Sequence, residues 1–396
     1  MKRREFLQAS AAAAAALGYS NPASANEPAE ISQALSDHKI SSIQYDRVRL
    51  KYPRHVGRNS RLGHHGNGPT VSICKIRTDK GAEGWGTFYA GRDRAEILNN
   101  SLKGLKISDL ITPASGIKPS APEQLDIALH DLAGKILEMP VYKMLGAAGP
   151  ESTNCYSGMI YFDDLDPEDN PEGIDKVLEN CRYDYNFGYR QFKIKIGRGK
   201  KWMPEKEGMQ RDIDVTNQIA KAFPYAELLA DANDMYTYQD TIEYLKGIGD
   251  TELYWMEEPF REEKEGFEKL KKWLKENGKS TYIADGERLP VQAQLISLAK
   301  QGVLDFYLTD IIGMGFTPWR QIMPRLKKLN TLASPHAWGS MLKTCYISHL
   351  SRGLGNIPTI EGVTCFSEDV DFSGFEIKNG KISTPETPGF GLKLLK

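Results

Sequence analysis

Two hydrophobic rhythms alternate along the chain. From Lys39 to Phe88 apolar and polar residues take turns in short runs, "KISSIQYDRVRL" and "TVSICKIRTDKGAEGWGTF", the second broken at Asp79, Lys80 and Gly81. A period of two predicts strands folded back at a turn. A helical period follows in "SAPEQLDIALHDLAGKILEMPVYKMLG", where Leu125, Leu129, Leu132, Ile136 and Leu137 recur until Pro140 stops them. Beyond Cys155 come eight short β-type runs, "NCYSGMIYF", "QFKIKI", "AELLADAN", "LYWMEEP", "TYIADGE", "LDFYLTDI", "NTLASPH" and "IPTIEG", separated by amphipathic stretches such as "QRDIDVTNQIAKAF" and "EGFEKLKKWLKEN". This βα alternation predicts a parallel α/β architecture behind a small α+β unit.

The polar positions sharpen the picture. In "QFKIKIGRG", Phe192, Ile194 and Ile196 alternate with Lys193 and Lys195, so a strand here carries both ammonium groups on one face. Taken alone, that is the solvent face of an edge strand. A polar or charged residue closes nearly every other run as well: Lys195, Asp231, Glu257, Glu287, Asp310, His336 and Glu361 follow one another at intervals of 23 to 36 residues. Eight βα units in a barrel of roughly 250 residues have a period of about 31. One such residue per unit, at the same strand end, gathers all of them at the C-terminal mouth, where barrels of this kind hold their active sites.

At 40% hydrophobic and 26% charged, the 396 residues fit a globular chain large enough for a barrel and a second domain. A net charge of −1 provides no overall basic field for nucleic acid or an anionic membrane, so the expected partner is a small molecule. No run reaches about 18 uninterrupted apolar residues, and no membrane span is expected. The first 25 residues read as a signal peptide: a basic start, an alanine-rich run, then "ASA" at Ala23–Ala25. Arg3 and Arg4 before Phe6 and Leu7 resemble the twin-arginine export motif, which implies a periplasmic protein exported folded. Residues 26–38 read as a linker. Cys74, Cys155, Cys181, Cys345 and Cys365 form an odd set without CxxC spacing, which argues against a disulfide framework and a zinc site.

Asp231, Glu257 and Glu287, from consecutive strands, form an oxygen-only ligand set suited to a hard cation such as Mg2+. Without one they repel in a poorly solvated mouth. Lys195 is a candidate base, since a nearby cation and Lys193 would both lower its pKa. His336 follows Asp310 by one unit, and the two make a candidate His–Asp dyad.

The ordered series "FKIKIG", "ADAND", "WMEEPF", "ADGER", "TDIIGMG" and "SPHAWGS" resembles the mandelate racemase branch of the enolase superfamily, and "LDIALHDLAGKILEMPVYKMLG" resembles the helix that closes its capping domain. The likeness spans about residues 40 to 396. It implies an α+β capping domain (39–150) over a modified (β/α)7β TIM-type barrel (151–370), with 371–396 returning to the cap. It also implies Mg2+ on Asp231, Glu257 and Glu287; Glu257 rather than Glu258 because the first glutamate of "EEP" has that role, and Glu287 rather than Asp285 from the "GE" pattern. By the same resemblance, Lys195 and His336 are the acid/base pair, Asp310 orients His336, and Lys193 and Asn233 lie near the substrate. Glu361 resembles a glutamate that donates a hydrogen bond to the intermediate.

The reaction so implied removes the proton α to a carboxylate, a step that places a second negative charge on the same group and therefore needs a cation. Dehydration of a sugar acid to a 2-keto-3-deoxy acid is the expected outcome; racemisation or epimerisation is the alternative, and a binding protein without turnover is a third. A homo-oligomer is expected. Arg54, His55, Arg58, Arg61, His64 and His65 lie in a loop expected to cover the mouth, with Arg61, His64 and His65 as candidate substrate contacts.

Overall fold

The computed structural model describes residues 29–288 and 290–395. The proposed signal peptide and twin-arginine motif lie outside them. Within the expected linker a helix forms, α1 (Ala29–Ser36), whose Leu35 is fully buried.

The cap begins with an antiparallel sheet of β1 (Ile40–Arg49), β2 (Thr70–Thr78) and β3 (Glu83–Thr87), in that order. Against it pack α2 (Arg92–Leu102) and α3 (Asp126–Ile136). Gly84 makes the close fit of β3 and α3 possible, because a Cβ there would lie 2.4 Å from the Leu132 backbone nitrogen. A two-stranded ribbon of β4 (Ile111–Thr112) and β5 (Gly116–Ile117) and a short α4 (Val141–Met144) after Pro140 complete the cap.

Eight parallel strands follow: β6 (Ser152–Ile160), β7 (Gln191–Lys195), β8 (Glu227–Asp231), β9 (Leu253–Glu257), β10 (Tyr282–Asp285), β11 (Phe306–Tyr307), β12 (Leu332–Ala333) and β13 (Thr359–Gly362). From β6 to β12 they hydrogen-bond in sequence order, and β13 pairs with β6. Helices lie between them: α5 (Ile174–Phe187), α6 (Glu205–Ala222), α7 (Tyr238–Gly247), α8 (Lys264–Glu276), α9 (Gln292–Lys300), α10 (Ile311–Met314) with α11 (Phe316–Lys328), and α12 (Met341–Leu354). Among the described residues no helix follows β13, so the barrel is (β/α)7β. The helices are amphipathic, as in α8, where Phe267, Leu270 and Leu274 are buried and lysines and glutamates occupy the other face.

All five residues of β7 are buried. Phe192 and Ile194 belong to the main apolar core, while Lys193 and Lys195 project to the other face of the strand, into the barrel. Below the lysines the interior is filled by Tyr156, Leu229, Trp255, Ala284, Phe306 and Leu308. The C-terminal segment divides its attachments. Strands β15 (Ile377–Lys378) and β16 (Lys381–Ser383) extend the barrel sheet beside β6. Farther on, Leu392 accepts from the indole of Trp85 in the cap, and β17 (Lys393–Leu394) pairs with β14 (Val370–Asp371). Among the described residues no helix is long and apolar enough to cross a membrane.

Candidate active site

Parallel register builds the centre. Lys195 is opposite Asp231 across β7 and β8, and Asp231 is opposite Glu257 across β8 and β9. Glu287 comes two residues after β10 ends. One carboxylate oxygen from each of Asp231, Glu257 and Glu287 lies within 4.8 Å of the others. The Lys195 ammonium contacts Asp231 Oδ2. Lys193 sits deeper, 2.8 Å from Glu257 Oε1, 3.0 Å from Glu361 Oε1 and 3.4 Å from Asp231 Oδ2. Trp255 donates its indole N–H to Glu257 Oε2 at 2.9 Å.

Facing this group, His336 places Nδ1 2.9 Å from Asp310 Oδ2 and Nε2 3.2 Å from Glu287 Oε1. Asp310 is held on both oxygens: Oδ1 caps α10 by accepting from the Ile312 and Gly313 N–H groups at 2.8 Å, and Oδ2 also accepts from Lys343 at 2.6 Å. Glu361 Oε2 accepts the Ala337 N–H at 2.6 Å, tying β13 to the turn that carries His336. Gly158 opposite leaves room for this glutamate, since a Cβ there would be 2.6 Å from Glu361 Oε1.

Burial and neighbouring charges set the protonation states. Burial would lift Asp231, but Lys195 and Lys193 outweigh it and hold its carboxyl at about 2. Glu361, likewise buried, is held at about 2 by Lys193 and His336. Burial prevails at Glu257, which is pushed up to about 8. His336 is raised, because Glu287, Glu361 and Asp310 more than offset its burial. Lys195 is raised rather than depressed among the protein's own groups, since Asp231 outweighs both burial and Lys193. Glu361 accepts from the Ala337 N–H and lies 3.0 Å from the Lys193 ammonium.

The residues fit a hard divalent cation. Glu287 Oε2 is buried without a hydrogen-bond partner, and the three carboxylates offer oxygen donors alone. Asp285, the competing ligand in "ADGER", belongs to a different cluster with Asp234 and Glu262.

The basic loop divides. His65 turns toward the mouth, its ring centroid 4.6 Å from that of Tyr161 and 5.4 Å from that of Trp338. Arg61 lies near Arg288, Asp234 and Glu258, and among the described residues no carboxylate pairs with its guanidinium. His64 points elsewhere, hydrogen-bonding His55 and Arg58 at 3.0 Å over a separate cleft of about 520 Å3. Arg54 and Arg58 are ion-paired, Arg54 to Asp184 at 2.7 Å and Arg58 to Asp166 at 2.6 Å and Glu168 at 2.8 Å. The acidic loop after β6 thus clasps the cap loop. Asn233 follows Asp231 with φ 49°, and its Oδ1 is buried and unpartnered.

Sequence reasoning missed Tyr161, Trp338 and Lys343. Tyr161 stands 5.4 Å from Lys195 Nζ to ring centroid, and Trp338 stacks on Tyr52 of the cap at 5.6 Å. Tyr161 immediately follows the first barrel strand, the same strand-end position that marked the other site residues; Lys343 lies inside a helix and carries no such signal.

Residues 176–396 match the family described as Enolase C-terminal domain-like. Galacturonate dehydratase from Geobacillus sp., solved with D-galacturonate and 5-keto-4-deoxy-D-galacturonate, is 33% identical with a TM-score of 0.84, covering 91% of this chain and 95% of that one. A mandelate racemase/muconate lactonizing protein from Geobacillus sp. Y412MC10, solved with magnesium and tartrate, is 32% identical with a TM-score of 0.84, covering 91% and 93%. D-xylonate dehydratase of Haloferax volcanii is 23% identical over 93% of this chain and 95% of its own length.

Proposed function

Because the chain belongs to the enolase superfamily, in its mandelate racemase branch, we propose that it removes water from a sugar acid, by abstracting the proton α to the carboxylate, to give a 2-keto-3-deoxy acid. One observation carries this reading: Lys195 and His336 contact the two ends of one carboxylate trio, at Asp231 and at Glu287. The likeness to the Geobacillus galacturonate dehydratase supports it.

Asp231, Glu257 and Glu287 would hold Mg2+, which when bound supplies positive charge beside the substrate carboxylate and takes up the Asp231 charge that raises Lys195. Lys195, as the free amine, accepts the α-proton at Nζ. Lys193 stays an ammonium: burial lowers it, yet Glu257 and Glu361 raise it well above the usual lysine range. It therefore offers fixed positive charge to the carboxylate on which negative charge develops. The imidazolium of His336 gives its Nε2 proton to the β-hydroxyl as the C–O bond breaks, and the group leaves as water. Asp310 keeps hydrogen on Nδ1, which directs the transferable proton to Nε2. Tautomerisation of the resulting enol gives the 2-keto product. Tyr161, its ring 4.7 Å from that of Trp338, packs beside the Lys195 ammonium.

The same placement of two proton-transfer groups at the ends of the trio favours a second reading, epimerisation, in which His336 reprotonates carbon instead of oxygen. Incubating Mg2+-loaded protein with a panel of sugar acids in D2O separates the two. A 2-keto-3-deoxy product identifies the dehydratase, and deuterium uptake without water loss identifies the epimerase. Neither outcome with any acid overturns both.

Export to the periplasm in folded form belongs to the same proposal. All five cysteines are buried free thiols, in keeping with folding in a reducing compartment before translocation. Cell fractionation after changing Arg3 and Arg4 to lysine tests it; unaltered export would refute it.

A further inference from the structure

A second group of carboxylates lies beside the first and takes no part in the reaction above. Asp234 follows β8, Glu262 lies in the loop after β9, and Asp285 ends β10. One oxygen of each lies within 4.8 Å of the others. The side chains of Asp234 and Glu262 are 1% and 2% exposed, and Asp285 is 2% exposed. Asp234 Oδ1, Glu262 Oε2 and Asp285 Oδ2 are all buried without a hydrogen-bond partner.

Glu258 is an independent pointer. It is 1% exposed; its Oε1 accepts the Arg288 N–H at 2.7 Å, while Oε2 is buried and unpartnered. Asp234 is in turn fixed over β9, its N–H donating to the Glu258 carbonyl at 2.8 Å. Among the described residues two cations touch the group. Arg261 reaches Asp234 Oδ2 at 3.0 Å and Glu262 Oε1 at 3.1 Å, and Arg288 reaches Asp234 Oδ2 at 3.3 Å. The guanidiniums take Asp234 Oδ2 and Glu262 Oε1 and leave Asp234 Oδ1, Glu262 Oε2 and Asp285 Oδ2 unmatched.

Asp234, Glu262 and Asp285 outnumber the two guanidiniums that pair with them, and each keeps a buried oxygen that no donor meets. A buried carboxylate oxygen without a partner is strongly unfavourable. An oxygen-only set of this charge suits one hard divalent cation. We propose that Asp234, Glu262 and Asp285 bind a second divalent cation, Mg2+ or Ca2+, beside the buried Glu258. This cation stands behind the strand ends from which Glu257 and Glu287 project, and it fixes them. The inference does not depend on which reaction the first centre performs.

Metal content of the chelated full-length protein, re-equilibrated with Mg2+ or Ca2+ separately and measured by mass spectrometry, tests the proposal. About two equivalents per chain are expected in the arm with the preferred ion, falling to about one in Glu262→Gln and about one in Glu287→Gln. A single equivalent in both arms, unchanged by Glu262→Gln, means that the second cluster holds protons instead and overturns the proposal. Should Glu262→Gln fail to fold, Glu287→Gln, which keeps the second site alone, serves in its place. Its thermal midpoint should rise with the preferred cation, because a ligand bound only by the folded state stabilises it. A midpoint that neither ion moves overturns the proposal. Loss of turnover with every sugar acid would count against the reaction, and it would leave the stoichiometry untouched.

Discussion

The substitution Asp310→Asn tests how the acid half of the site is set. The introduced amide can still accept the Ile312 and Gly313 N–H groups through its single oxygen, and asparagine caps a helix about as well as aspartate, so α10 should survive. Its NH2 group would then face His336 Nδ1 and the Lys343 ammonium, which in the native protein share Asp310 Oδ2 at 2.9 and 2.6 Å. The imidazolium loses a charge-assisted hydrogen bond worth about 1.5–3 kcal/mol and gains an unneutralised lysine. At about 1.4 kcal/mol per pKa unit, His336 should fall by about one to two units. The imidazolium is the form that protonates the leaving hydroxyl, so activity declines as pH rises through the His336 pKa. The alkaline limb of kcat for dehydration should accordingly move down by about one to two units. Rates measured on that limb should fall about 10- to 100-fold, and the loss should shrink at lower pH. Exchange of the α-proton with D2O, carried by Lys195, should persist within about threefold. An unmoved alkaline limb would refute the reasoning; so would exchange lost in step with dehydration, which would mean that Asp310 acts on both faces.

The remaining predictions concern packing, the clasp and the metal. Gly158→Ala places a methyl within 2.6 Å of Glu361 Oε1, and should cost about 1–3 kcal/mol in urea unfolding and lower kcat; unchanged kcat would show that Glu361 can move freely. Arg58→Ala removes the pairs to Asp166 and Glu168 and the stacking on Trp202 at 4.8 Å, so KM should rise several-fold with kcat within about threefold; the opposite split would place the loop in the chemistry. Burial raises Glu257 from 4.5 to about 8, so in chelated protein it contributes stability below pH 4.5 that is lost as pH rises through about 8. A cation on this carboxylate removes that loss, so the gain in thermal midpoint on adding Mg2+ should be larger at about pH 8 than at about pH 5.5. Equal gains would refute it.

The strand ends were legible because barrel geometry puts its chemistry where period and polarity coincide. Each of Lys195, Asp231 and Glu257 ends its strand, and register then sets them side by side. Choosing Glu287 over Asp285 needed more than spacing, since both lie at one strand end. The structure separates them through the positive φ of Gly286 between them, which sends the two carboxylates to different clusters. The cap loop was legible in charge but not in direction. Arg54, Arg58 and His64 read as a positive field for an acid substrate, yet their carboxylate partners lie more than a hundred residues away, in the acidic loop and at Asp184 in α5. No local pattern foretells such long-range pairing.

The two lysines of "QFKIKIGRG" explain why this mouth suits a divalent cation rather than a mere ion-pair network. Fully ionised, Asp231, Glu257, Glu287, Asp310 and Glu361 face the ammonium groups of Lys193, Lys195 and Lys343 and the imidazolium of His336, which leaves an excess of negative charge. A network evolved only for stability would have little reason to leave that excess in a buried space, since replacing buried ion pairs by apolar residues is often neutral or favourable. Nor would it raise Glu257 to about 8 while a lysine lies 2.8 Å away. Mg2+ on the oxygen-only trio answers that excess. With Asp231 so engaged, Lys195 loses the partner that keeps it charged, and the residue that reads as half of a basic stripe becomes free to take a proton.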